Sequence, residues 1–424
     1  MSLDPKIHST ALLQTASLFL PVLLFLAPAV RAQEAVRPSL AGEASAEARR
    51  QTIDQIPYNL LLGPVRFRFS ATTGIEYNDN INLAETNRQS DFIVRPQFNI
   101  DAIWPVTQLN TLRLDLGLGY SFYLKHPSAD TNGIVISPGS QLAFDIFVQD
   151  FRINIHDRFL LQQDPVAQIQ LSNVENYGRF ENTGGVSVLW DLNKAVLTFG
   201  YDHYTYISTT SAFSYLDRNA EELALSADFA LTSTTGVGLE GNFVYNYYNS
   251  QSVLNDATSY SVGPFVETQL TNYLKLRASA GYQAMNFGNG GSVGDTSNGS
   301  IPYAYLLLAH RINAAISQTI TAGHELQLGV NSNFITLNYV RHTATWNIVR
   351  GVLFATEAFY EDGEDSGGIY SEHIQRYGGA ATFAYQLTPH VTIGLRYQYT
   401  QKNSNQPGRS YKQNVIALDG TYGF

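Results

Sequence analysis

The sequence predicts an all-β fold: a closed antiparallel transmembrane β-barrel of about 18 strands, within a range of about 16–18, with short turns at one end and long loops at the other. Three observations predict it. Apolar and polar residues alternate with period two from Val65 to the C-terminus. Short and long connections alternate along the same stretch. Beyond the N-terminal segment, no run reaches the ~18 or more consecutive apolar residues of a helical span. A chain that enters the membrane without such a span must satisfy its backbone in a closed barrel.

Composition narrows the function classes first. The chain has 424 residues, 44% hydrophobic, 12% aromatic and 15% charged, against roughly 25% charged in ordinary soluble domains. So much apolar and aromatic surface excludes a disordered chain. The absence of Cys excludes a disulfide scaffold, a Cys-ligated metal site and a thiol enzyme. With 26 Lys+Arg against 36 Asp+Glu, a net charge of −10 and no basic tail, nucleic acid is not an expected partner. A mean hydropathy of −0.13 is too low for a polytopic helical membrane protein, and suits strands that alternate lipid-facing and water-facing residues.

Residues 1–32 read as a signal peptide. A polar start with Lys6 and His8 precedes an apolar run from Ala11 to Val30, interrupted by Pro21 and Pro28, and Val30-Arg31-Ala32 offers small residues for cleavage near Ala32. Residues 33–64 differ from everything downstream, with an Ala/Glu/Arg-rich stretch at Glu43 to Gln51, and read as a periplasmic lead-in.

The barrel domain is expected over 65–424. In its first strand Phe67, Phe69, Ala71, Thr73, Ile75 and Tyr77 share one face, with Arg66, Arg68, Ser70 and Glu76 on the other. The third run opposes Leu112, Leu114, Leu116 and Leu118 to Arg113, Asp115, Gly117 and Gly119. Runs of this kind have the ~9–11 residues of a tilted membrane strand. Short turns are expected near Val106 to Asn110, Gln149-Asp150, Leu192 to Lys194, Thr232 to Thr234, Thr271-Asn272, Ser317 to Thr321, Val349 to Gly351 and Leu387 to His390. Long loops are expected near Asn78 to Asp91, Lys125 to Gly139, Gln163 to Arg179, Ser208 to Asn219, Asn249 to Thr258, Asn286 to Ser300, Asn338 to His342, Glu361 to Glu372 and Lys402 to Ser410. The segment 342–348 is short, and as an irregular loop it would leave about 16 strands.

Trp104, Trp190 and Trp346 all fall on apolar faces beside short turns, where an indole is buried while its N–H stays wet at a membrane boundary. The chain ends with Ile416, Leu418, Gly420, Tyr422 and Phe424 in alternation. Tyr422 and Phe424 thus read as an assembly signal for the barrel-assembly machinery. Taken together, Gly74-Ile75-Glu76-Tyr77-Asn78-Asp79-Asn80, Thr107-Gln108-Leu109-Asn110-Thr111 and Phe359-Tyr360-Glu361-Asp362 resemble the putative beta-barrel porin 2 group of Gram-negative outer-membrane proteins, from roughly Tyr58 to Phe424. The resemblance implies a porin-like barrel without a defined substrate, and names no catalytic residue.

A barrel of about 18 strands is wide enough for an aqueous channel. The pore-lining candidates are Arg66, Arg68, Arg95, Asp101, Arg113, Asp115, Asp145, Arg152 and Arg158 from early strands, and Asp228, Glu240 and Glu267 from later ones. Between residues 181 and 274 the only basic residues are Lys194, in a turn, and Arg218, in a loop. The charges therefore form either a basic wall facing an acidic one, which would filter ions, or neighbouring ion pairs. His156-Asp157-Arg158 lacks a nucleophile motif at the same depth. Tyr201-Asp202-His203-Tyr204 and His310-Arg311 read as strand residues near a rim. The acidic stretch Glu361 to Gly368 lacks EF-hand spacing and reads as a solvated external loop, with Ca²⁺ the alternative. Asn78-Asp79-Asn80 suits a turn, and Gly288 to Gly291 has no strand-to-helix setting for a phosphate cradle.

The expected function is passive diffusion of small hydrophilic solutes through an outer-membrane pore, with no catalytic residue, cofactor or metal. The alternatives are a plugged barrel serving as scaffold or export partner, for example in polysaccharide secretion, and a barrel enzyme. The remaining expected partners are outer-membrane lipid and lipopolysaccharide.

Overall fold

The computed structural model describes residues 57–107, 110–127, 132–249, 253–288 and 290–424. The expected signal peptide and most of the lead-in lie outside the described residues. The described chain is almost entirely strand. In order the strands are β1 (Leu60–Leu62), β2 (Val65–Asn78), β3 (Asp91–Val94), β4 (Gln97–Pro105), β5 (Thr111–Tyr123), β6 (Gly133–Val148), β7 (Phe151–Gln162), β8 (Arg179–Asp191), β9 (Ala195–Ser208) and β10 (Arg218–Ala230). They continue with β11 (Thr235–Tyr248), β12 (Ala257–Thr271), β13 (Leu274–Phe287), β14 (Gly299–Arg311), β15 (Ile316–Leu328), β16 (Phe334–Val349), β17 (Val352–Asp365), β18 (His373–Thr388), β19 (Val391–Ser404) and β20 (Tyr411–Gly423).

Every pairing is antiparallel between neighbours, and β20 returns to β2 with Ser70 opposite Gly423 and Asn78 opposite Val415. The barrel closes there. β3 and β4 are one stave broken at Arg95-Pro96, where both pieces pair with β2 and with β5. Pro96 has no N–H for the ladder, although its carbonyl still accepts from Tyr120 N at 3.0 Å. β1 pairs only with the foot of β2. The closed barrel therefore has 18 staves, as the alternation predicts.

The period-two pattern becomes two environments. Leu118, Phe122, Leu142, Ile155, Phe199, Leu225, Leu239, Val262, Leu395 and Leu418 are all exposed on the outer surface. Exposed apolar surface on this scale marks a membrane-facing wall. The alternate residues face inward and include the arginines and carboxylates that pair between staves.

Two expected connections lie wholly inside strands, and others are shorter than expected: Gly133 to Gly139 begin β6, Arg218 and Asn219 begin β10, and Glu361 to Asp365 end β17. Ser317 to Thr321 lies inside β15, and the real turn spans 312–315, where the Asn313 side-chain oxygen accepts from the Ala315 and Ile316 amides at 2.8 Å each. The Thr-rich segment is polar but β-branched, and forms strand. Asn338 to His342 lies inside β16, and the loop sits at 329–333, in the Gly-Val-Asn-Ser-Asn cluster. The two displacements cancel, so the strand count survives.

Candidate functional site

The inner wall is built by the polar faces of the staves, and ion pairs join neighbours across it. Arg68 meets Asp101 at 2.6 Å, Arg95 meets Glu76 at 2.8 Å and Arg113 meets Asp145 at 3.4 Å. Asp115 accepts from Gln141 at 2.9 Å. Arg66 lies over the Tyr58 ring at 5.4 Å and Arg152 over Phe147 at 5.9 Å. Arg158 projects from the same face of β7, its guanidinium making no hydrogen bond or ion pair among the described residues.

The acidic side contains a residue the sequence reading did not use. Arg277, from β13, reaches Glu240 at 2.7 Å and Glu267 at 3.4 Å while lying 4.3 Å over the Phe265 ring. Asp228 stands on the same inward surface, where Gly236 leaves room for its carboxylate. Arg277 lies three residues beyond the base-poor stretch 181–274, so charge order along the chain does not reveal it as the partner of these carboxylates. Arg341, Arg376 and Arg396 were missed too, although they obey the same alternation. They pair with Glu357 and Glu361, with Glu361, and with Glu76 respectively. Local ion pairing, rather than two opposed fields, describes most of this wall.

The candidates for chemistry separate. His156 is buried, with Nε2 2.9 Å from Asp202 Oδ1 and Nδ1 2.9 Å from Asn154 Oδ1. Asp202 leans there over Gly185, where a Cβ would collide with its carboxylate. Asp157 points the other way and accepts from Asn182. His203 is also outward, 3.0 Å from Glu221, and His310 bonds Gln318 at 3.2 Å. The stretch Glu361 to Asp365 is strand rather than loop: Glu361 and Asp365 are buried inward, while Glu364 is exposed outward and Asp362 meets His373 at 3.5 Å. Carboxylates on opposite faces cannot surround one cation. Among the described residues no group of three or more His, Asp or Glu could hold a metal ion.

Trp104, Trp190 and Trp346 lie on the outer face near the short-turn ends of β4, β8 and β16, and all three are exposed. Phe424 packs on Phe98 at 6.1 Å and on Tyr422 at 5.1 Å, and its amide donates to Phe69 O across the seam.

The long-loop end is narrowed from within. The β7–β8 loop, 163–178, carries a short 3-10 helix at Pro165–Ala167 and crosses to staves about halfway around the barrel. Arg376 Nη1 donates to Val166 O at 2.6 Å, and Gln170 donates to Asp365. Lys402 Nζ donates to Gln170 O at 3.1 Å and to Ser172 Oγ at 3.0 Å. Ile169 enters an apolar cluster with Ile335, Leu337 and Ile374. A larger cluster gathers Leu171, Phe213, Leu254, Val293 and Val330 from five loops against Tyr204 and Val244. Beside it, Asp295 ties three loops together: burial alone would raise its pKa, but donors from Ser366, Asn333 and Ser297 hold it below the usual carboxylate range.

A family model described as putative beta-barrel porin 2 matches residues 63–422. Among solved structures, the chain is similar to the outer membrane protein OpdK from Pseudomonas aeruginosa, at 11% identity and a TM-score of 0.48, covering 84% of this chain and 99% of that one. It is similar also to a BenF-like porin from Pseudomonas fluorescens Pf-5, at 11% identity and a TM-score of 0.49, covering 86% and 100%. A third is Pseudomonas aeruginosa OccK2 (OpdF), crystallised with glucuronate, at 10% identity and a TM-score of 0.49, again covering 86% and 100%. No curated protein matches the chain.

Proposed function

The chain belongs to the putative beta-barrel porin 2 family, and from that premise we propose that it is a passive diffusion channel of the Gram-negative outer membrane for small hydrophilic solutes, narrowed by its β7–β8 loop. The observation that carries the reading is the 18-stave closed barrel with apolar side chains outside and ion-paired polar ones inside. A barrel of this size has room for water. Solutes pass by size at the level of 163–178 and by charge along the wall below. Arg66, Arg68, Arg95, Asp101, Arg113, Asp115, Asp145, Arg152, Arg158, Asp228, Glu240 and Glu267 line that path.

The same reading gives the outer surface its roles. Trp104, Trp190 and Trp346 anchor the periplasmic membrane boundary. Tyr422 and Phe424 present the last strand to the assembly machinery, and cleavage near Ala32 leaves residues 33–64 as a periplasmic lead-in whose end, Leu60 to Leu62, pairs with the foot of β2. Lipopolysaccharide and lipid surround the wall.

A second reading, a plugged barrel acting as scaffold or export partner, is favoured by the apolar cluster that five loops build in the mouth. Single-channel recording in planar bilayers separates the two. Discrete, steady openings support diffusion. Silence in a correctly folded barrel, with openings only after deletion of 165–173, supports the plug.

A further inference from the structure

We propose that Arg218 and the tyrosines around it form a solute subsite in the inner mouth, one that takes the carboxylate of a small organic anion; how such a solute arrives rests on the channel reading. Arg218 is the first residue of β10, rather than a loop residue as its sequence context suggests, and shares the inward face with Ala220 and Glu222. Its guanidinium lies 5.3 Å over the Tyr204 ring and 4.9 Å over the Tyr206 ring. Tyr177 and Tyr248 complete the group. Ring faces attract the cation and hold its plane, but they accept none of its five N–H donors.

No acceptor takes those donors among the described residues. Other arginines near the mouth are matched: Arg179 with Glu181 at 2.7 Å, Arg376 with Glu361 at 2.6 Å and Arg409 with Glu372 at 2.8 Å. The carboxylates close to Arg218 are committed elsewhere. Glu181 accepts from Arg179 and, at 2.9 Å, from the Tyr204 hydroxyl, while Asp217 accepts from Ser208 N at 2.6 Å. Glu222, buried two residues on along the same strand face, feels the Arg218 charge but lies beyond ion-pair distance of it. Arg218 Nε is shut from solvent with no partner, yet the residue as a whole keeps partial exposure.

An aromatic-walled position with one unmatched, pre-oriented guanidinium is complementary to a planar anion with an apolar body. The carboxylate would use the guanidinium fork in two parallel hydrogen bonds, and the body would enter beside tyrosines that are themselves buried, displacing part of the loop cluster packed on them. A strongly hydrated inorganic anion gains nothing from those rings.

The test uses the full barrel, folded in detergent micelles, with sodium benzoate as probe in isothermal titration. Benzamide serves as the neutral isostere and sodium sulfate as the inorganic anion. Heat-modifiable mobility on gels certifies folding. Benzoate should bind saturably, with Arg218→Gln and benzamide each weakening binding about tenfold, as the loss of one charge-assisted pair implies. Arg218→Lys, which keeps charge but not the fork, should weaken it several-fold, and it replaces Arg218→Gln if that variant does not fold. Unchanged benzoate affinity in the variant, equal binding of benzamide, or equal binding of sulfate overturns the proposal. Micelle binding needs no conduction: a silent barrel that binds benzoate retires only the channel reading, and a conducting barrel that binds none retires only the subsite.

Discussion

Lys402 and Glu372 meet at 2.9 Å with both side chains fully shielded from solvent. From that position the ammonium also holds the carbonyl of Gln170 and the hydroxyl of Ser172, fixing a loop rooted on the other side of the barrel. The pair joins the wall to the loop that crosses the lumen.

Removing the ammonium should therefore loosen the loop more than the barrel. Arg409 remains 2.8 Å from Glu372, so the buried carboxylate is not left alone, a situation that costs about 3–5 kcal/mol. Lys402→Met is expected to raise single-channel conductance and to speed proteolysis within 163–178, with little loss of heat-modifiable barrel. Unaltered cleavage and conductance would show that the loop is held by other contacts.

Ion preference should respond oppositely to the two halves of the Arg277 cluster. Replacing Asp228, Glu240 and Glu267 together by Asn/Gln leaves Arg277 unmatched, and should move the reversal potential toward anions in a salt gradient. Arg277→Gln should move it toward cations. Both shifts should shrink at high salt, because charges in water-filled space are screened within ~8 Å at physiological ionic strength. Equal reversal potentials at low salt in both variants would place the cluster off the conducting path.

Deletion of Phe424 should lower the heat-modifiable fraction in outer membranes, since it removes the Phe98 contact and the amide that reaches Phe69 O. Full assembly of the truncated chain would sink the assigned role.

Asp295 supplies the pH dependence of the mouth. Its carboxyl is held below the usual carboxylate range, because donors from Ser366, Asn333 and Ser297 outweigh the effect of burial. A folded-state value depressed below the unfolded one contributes stability that is present above about pH 4 and is lost as pH falls through the folded value. Protease sensitivity of 288–298 should therefore rise below about pH 4. Asp295→Asn should show raised sensitivity already at neutral pH and a flatter profile. A wild-type profile that stays flat to pH 3 would exclude Asp295 as the tie.

The fold was legible because each stave writes its two environments into alternate residues, as Leu112 to Leu118 against Arg113 to Gly119 illustrate. Errors came where polarity stood in for turn chemistry. Ser317 to Thr321 is polar strand, and the turn belongs to Asn313, whose side chain caps it. The site was less legible for a different reason. Alternation says that Glu240, Glu267 and Arg277 point inward, but not that one guanidinium spans both carboxylates. Nor does it say that Gln170 lies against Asp365, 195 residues away. Long loops announce their length in sequence; their destination depends on packing across the lumen.

The hairpin of β1 against the foot of β2 bears on how the seam resists leakage. β20 covers β2 only from Ser70 upward, and Leu60 to Leu62 take over opposite Phe67 to Val65. Without them the lowest turn of the first stave would offer bare N–H and C=O groups to hydrocarbon, a slit through which lipid or solute could slip sideways. The hem that seals it is contributed by residues N-terminal to β2. Lateral tightness at that rim thus depends on a segment outside the ring of staves, whose Tyr58 in turn lies under the inward Arg66.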